Sequence, residues 1–196
     1  MPDWPTSTLL IVDVQKDFCS GGALAVQNGD RVVPVLNRTL AQLGLAGLIY
    51  ASRDWHPPVT VHFKEHGGVW PVHCVAGTDG ARFHPDLQLP PETIIVTKGE
   101  TPSTHGYSAF EGTTPSGETL LEDVRRRGLT HLVVGGLATD YCVRQSVLDA
   151  LKAGFEVAIL TDAIAGVDLQ PGDSARAIEE MTEAGALLTT ADAFTP

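Results

Sequence analysis

Short apolar runs rich in Val and Ile alternate along this chain with segments of helical periodicity, which predicts an α/β fold built on a parallel sheet. Three of the helical segments are followed by a glycine, Gly128, Gly154 and Gly185, where a left-handed residue can close a helix. With 196 residues and 43% hydrophobic content, the chain can bury the full core of one compact domain, and neither repeat nor linker divides it.

The elements follow in order. Strands are expected near 8–14 (TLLIVDV), 47–51 (GLIYA), 93–97 (TIIVT), 131–136 (HLVVGG), 156–160 (EVAIL) and 186–189 (ALLT). Helices are expected near 30–43, 116–127, 140–153 and 173–184, with Asp30, Ser116 and Asp173 as N-caps, and Thr139 or Asp140 capping the third. Arg125, Arg126 and Arg127 sit at a helix end, where they oppose the dipole and face solvent.

Charge and composition exclude several classes. A net charge of −11 with 13 Lys and Arg argues against nucleic acid, whose binding requires cations at phosphates. The N-terminus MPDWPTST has no basic stretch leading into an apolar run, and LLIVDV is too short to span a bilayer, so a cytoplasmic protein without membrane contact is expected. The odd set Cys19, Cys74 and Cys142 fits reduced thiols better than a disulfide framework. The surface pattern is compatible with a homo-oligomer and does not require one.

Residues 52–92 break the alternation. This stretch carries Pro57, Pro58, Pro71, Pro85, Pro90 and Pro91, yet its Asp54, Trp55, His56, His62, Phe63, His66, Trp70, His73 and His84 are too aromatic and histidine-rich for a flexible linker. Asp54 and His56 alternate on extended backbone and so point the same way. With His73 returning across the loop and His62 as a further donor, they form an oxygen and nitrogen set suited to zinc, iron or manganese. A hydrogen-bonded loop with ordinary surface histidines is the competing reading. His66 and His84 are read that way, and residue type alone recommends neither His105 nor His131 as a ligand.

Three strand ends carry reactive groups. Asp13 closes the first strand and Lys98 the third, while Cys142 sits in the first turn of the helix after HLVVGGLATDY, where free amides and the dipole favour a thiolate. Open parallel sheets bind ligands at the carboxyl ends of their strands, so the three can meet in one crevice. There Lys98 would favour carboxylate and thiolate, Asp13 would take the thiol proton, and Cys142 would attack an electron-poor carbonyl. Taken singly, an inert buried cysteine, a turn aspartate and a surface lysine fit the same positions.

The set IVDVQKDF, SRDWHPP, WPVHCV, VTKG, GYSAFEG and GLATDYCV, in this order from Thr8 to about Leu188, resembles the nicotinamidase branch of the isochorismatase-like cysteine hydrolases. The resemblance implies a three-layer, doubly wound α/β fold with a six-stranded, mainly parallel sheet and helices on both faces, forming one domain over residues 1–196 with a metal-binding loop at about 52–92. It implies an Asp13, Lys98, Cys142 triad and an oxyanion hole from the backbone amides of Ala138 and Cys142, with a cis peptide between Leu137 and Ala138. It further implies one divalent metal, zinc foremost, on Asp54, His56 and His73, with His62 a ligand in only some members. Phe18, Trp70 and Tyr107 match positions lining a pocket for a flat pyridine ring, bordered by Leu137 and Ala138, with Gln15 a weaker neighbour. The implied substrate is nicotinamide or a similar pyridine carboxamide, hydrolysed through a thioester. A related amidohydrolase acting on a carbamoyl or ureido substrate would use the triad without needing the metal. A binding module without turnover and a structural zinc protein are more distant alternatives.

Overall fold

A computed structural model describes residues 8–43 and 48–193. Six parallel strands form one sheet: β1 (Thr8–Val12), β2 (Leu48–Asp54), β3 (Ile94–Lys98), β4 (His131–Leu137), β5 (Glu156–Ala165) and β6 (Leu187–Thr189). Their order is β3-β2-β1-β4-β5-β6. The chain winds outward from β1 through β2 to β3, then returns to the far side of β1 as β4. This leaves a topological switch point between β1 and β4.

Alternation along the strands divides the core into two layers. Leu9 and Ile11 pack with Leu36 and Leu40 of α1 (Val32–Leu43) on one face. Leu10 and Val12 pack on the other face with α2 (Leu120–Arg126), α3 (Arg144–Lys152) and α4 (Asp173–Glu183), through Val124, Val147 and Met181. Both faces of β1 are therefore covered and every residue in it is buried, as expected for a central parallel strand. Gly136, opposite Val12 in the register, lets β4 press closely on β1 at the switch point: a Cβ there would stand 2.0 Å from the Val12 carbonyl oxygen.

Element ends differ from expectation for local reasons. β2 runs on to Asp54 because it pairs with β3 as far as Asp54 opposite Lys98; position 47 lies outside the described residues. β5 continues to Ala165, past an irregularity in its pairing with β4. The second helix starts at Leu120 because Thr119, not Ser116, is its cap, forming a reciprocal capping box with Glu122. Asp30 lies within a 3₁₀ turn and accepts from the Ser20 amide and hydroxyl, and Asp173 is already helical after Gly172. Neither Thr139 nor Asp140 caps the third helix. That helix is entered through a π-helical turn, Thr139–Val143, while the Asp140 carboxylate accepts from the amides of Val167 and Asp168 beyond β5. Gly128, Gly154 and Gly185 take the positive φ values expected of them.

The long segment between β2 and β3 holds itself in place. Backbone bridges join His56 to Val75 and Phe63 to Trp70, and the Asp17 carboxylate accepts from the Cys74 amide at 2.7 Å. No helix among the described residues is long and apolar enough to cross a membrane, and all three cysteines are free.

Candidate active site

Four strand ends converge beside the switch point. Asp13 follows β1, Asp54 ends β2, Lys98 ends β3 and Cys142 lies in the π-helical turn after β4. Lys98, 1% exposed, is the hub. Its Nζ is 2.8 Å from the Asp13 carboxylate and 3.5 Å from Cys142 Sγ, donates to the Gly106 carbonyl at 2.9 Å, and forms a further, shorter ion pair with Asp54. Asp13, Asp54 and Cys142 offer atoms within 4.8 Å of one another.

Burial and ion pairing compete to set the resting protonation. It would lower the Lys98 pKa, but Asp13 and Asp54 carry the ammonium well above its usual range. Burial raises the Cys142 thiol well above its ordinary value, with Lys98 opposing only in part, so the sulfur rests as a thiol. Burial also raises Asp13 against the pull of Lys98, making it a stronger base for that thiol. At Asp54 the same burial is outweighed by the Lys98 ammonium, and the carboxyl stays ionised.

His56, His62 and His73 offer ring nitrogens within 4.8 Å of one another, all buried. His56 Nδ1 faces the Gly99 carbonyl at 3.1 Å and His73 Nδ1 the Pro71 carbonyl at 2.8 Å, which places those protons on Nδ1 and the lone pairs on Nε2. Gly99 also makes room for the His56 ring, since a Cβ there would meet Cε1 at 2.6 Å. His56 Nε2 is buried with no hydrogen-bond partner among the described residues, and the Asp54 carboxylate lies 3.5 Å away. Burial and the neighbouring imidazoles push His62 down to about 3, leaving it neutral and able to bind a cation. An orphaned imidazole nitrogen, two more neutral imidazoles and a carboxylate fit a divalent metal.

A pocket opens onto both groups. Phe18, Trp70, Tyr107 and Ala138 line it with Asp54, His62, His73 and Cys142. Trp70 Nε1 donates to Tyr107 Oη at 2.9 Å, fixing two aromatic walls against each other. The Leu137–Ala138 peptide is cis. Gln15 is not a pocket residue: its amide donates to the Asp54 and Ala81 carbonyls and accepts from the Asp54 amide, locking the end of β2. Leu137 is fully buried in the core and its side chain does not line the pocket.

Leu24, Tyr141 and Val167 also line the pocket and were not anticipated; their apolar character resembles that of any core residue. Ser52 Oγ donates to Asp13 Oδ1 at 2.7 Å. Its position two residues before Asp54 on one strand was the available signal. His105, set aside on sequence, lies against His62. His66 and His84 stand apart from the histidine cluster.

The chain belongs to the isochorismatase domain family, whose sequence model matches residues 7–193. It is 43% identical over 203 residues to a nicotinamidase of Escherichia coli (strain K12), covering 95% of each chain. Its fold matches a pyrazinamidase of Pyrococcus horikoshii, solved in complex with zinc, with a TM-score of 0.86 at 42% identity over 95% of this chain and 99% of that one. It also matches PnC1 of L. infantum, solved in complex with nicotinate, with a TM-score of 0.86 at 33% identity over 96% of this chain and 94% of that one.

Proposed function

We propose that this chain is one hydrolase domain that converts nicotinamide to nicotinate and ammonia through a thioester on Cys142. The observation that carries this reading is that the buried Asp13, Lys98 and Cys142 cluster and the histidine cluster open into one aromatic-walled pocket. The E. coli relative named for this activity and the neighbour holding nicotinate support it.

Phe18, Trp70 and Tyr107 hold the flat ring and direct the carboxamide carbon at Cys142, converting a bimolecular encounter into an oriented one. Asp13 takes the thiol proton as sulfur attacks, and Lys98 remains charged, steadying both anionic partners. The amides of Ala138 and Cys142 receive the developing oxyanion; one such donor is worth about 10² to 10³ in rate. Protonated Asp13 then gives its proton to the departing nitrogen, which leaves as ammonia. The Asp13 carboxylate next takes a proton from water, whose oxygen attacks the thioester. Collapse of the second tetrahedral species releases nicotinate and restores the thiol.

Asp54, His56 and His73, with His62, would hold the cation, zinc being the ion in the P. horikoshii complex. When bound, it supplies a Lewis acid for the pyridine nitrogen and so orients and polarises the ring.

The test is ammonia release from nicotinamide by the purified protein, before and after chelation and metal restoration. Release that needs metal supports the reading. Release indifferent to chelation separates the triad from the metal site, and no release from metal-replete protein moves the substrate to the carbamoyl or ureido class.

A further inference from the structure

The three clustered histidines are held from behind in two different ways. For His56 and His73 the partner of Nδ1 is a backbone carbonyl, Gly99 or Pro71, which can only accept. For His62 it is a side chain: Nδ1 lies 3.2 Å from Nδ1 of His105. Two imidazole nitrogens at that distance share one proton, so one donates and the other accepts. The His105 ring is itself oriented, stacked on Tyr107 with centroids 5.5 Å apart and planes 15° from parallel. Tyr107 is in turn tied to Trp70 across the pocket. His105 is exposed and comes from the segment after β3, whereas His62 comes from the loop after β2.

We infer that His105 is a positioning residue for the metal site: its Nδ1 accepts the Nδ1 proton of His62, holding the His62 ring in the tautomer that leaves the Nε2 lone pair for a cation. This rests on the reading that His62 is a ligand. His105 thus does with a side chain what Gly99 and Pro71 do with the backbone, and it joins the metal loop to the pocket wall through Tyr107. Outer partners of ligating imidazoles typically contribute about 10- to 100-fold in metal affinity.

The experiment measures Zn²⁺ affinity of metal-stripped protein by competition with a chromophoric chelator, for the parent, His105→Phe, His105→Asn and His62→Ala. Phenylalanine keeps a ring on Tyr107 but cannot accept a proton, whereas asparagine can place an oxygen where Nδ1 stood. The expected result is that His105→Phe weakens Zn²⁺ binding by about 10- to 100-fold, while His105→Asn stays near the parent. Because His105 is exposed, the metal-free His105→Phe and His105→Asn proteins should melt with the parent. Parent-like affinity in His105→Phe, with His62→Ala weakened, overturns the role of His105 and leaves the ligand set intact. Equal weakening in His105→Phe and His105→Asn also overturns it, by showing that the ring and not the acceptor matters. Parent-like affinity in His62→Ala overturns the ligand reading beneath it.

Discussion

Replacing Lys98 with methionine keeps the length of the side chain and removes the ammonium held between two buried carboxylates. Asp13 and Asp54 offer oxygens within 4.8 Å of each other, and both side chains are at most 4% exposed. Two unit charges at that separation repel by about 3.5 kcal/mol at an effective dielectric of about 20. Breaking a buried ion pair by removing one partner typically costs about 3–5 kcal/mol, so the two estimates agree. For a chain of this size that corresponds to a fall of roughly 10 °C in melting temperature. The loss should depend on pH. In the parent, the lowered Asp54 value adds stability that is fully present above the unfolded aspartate value, about 3.9, and is lost as pH falls through the folded one. In Lys98→Met, repulsion raises a carboxyl in the folded state, so its contribution is present below about pH 4 and is lost as pH rises through the folded value. The deficit relative to the parent should therefore be full at pH 8 and shrink towards pH 5. Thermal and urea unfolding of both proteins, with chelator present throughout, measures it. Equal stability at pH 8, or a deficit that does not change with pH, would refute the electrostatic account of Lys98.

Cys142→Ala should cut ammonia release by on the order of 10⁶-fold, as when other covalent hydrolases lose their nucleophile, while leaving Zn²⁺ affinity unchanged; retained turnover would remove the thioester. Ser52→Ala deletes the 2.7 Å hydrogen bond to Asp13 that favours its ionised form. At about 1.5–3 kcal/mol for a charged hydrogen bond, the acid limb of kcat/KM should move up by roughly one to two pH units; an unmoved limb would mean that Asp13 is not the base being titrated. Chelation should stop turnover but leave a cooperatively unfolding protein, because Asp17 and Gln15 hold the metal loop through the backbone of Cys74 and Asp54. Unfolding on chelation, followed by circular dichroism, would instead mark the metal as structural.

The sequence by itself determined the elements that depend on periodicity and local chemistry: the apolar strands, the glycines that end helices, and reactive residues at the ends of strands. Parallel winding then brings Asp13, Lys98 and Cys142 into one crevice, because successive strands leave the sheet at the same edge. The loop histidines were legible as a group through residue type and the alternation of Asp54 with His56. Tertiary structure decided what depends on distance between remote segments and on burial. Asp54 serves Lys98 as well as facing His56, since β2 and β3 pair as far as Asp54 and Lys98. Gln15 turns from the pocket to the backbone of Asp54, and Asp140 leaves the helix start for amides 27 and 28 residues away. His105 meets His62 across 43 residues, a pairing that no periodicity encodes. How strongly the Cys142 thiol holds its proton is set the same way: Lys98 favours the thiolate, but removal of the sulfur from water outweighs it, and only the folded chain sets that burial.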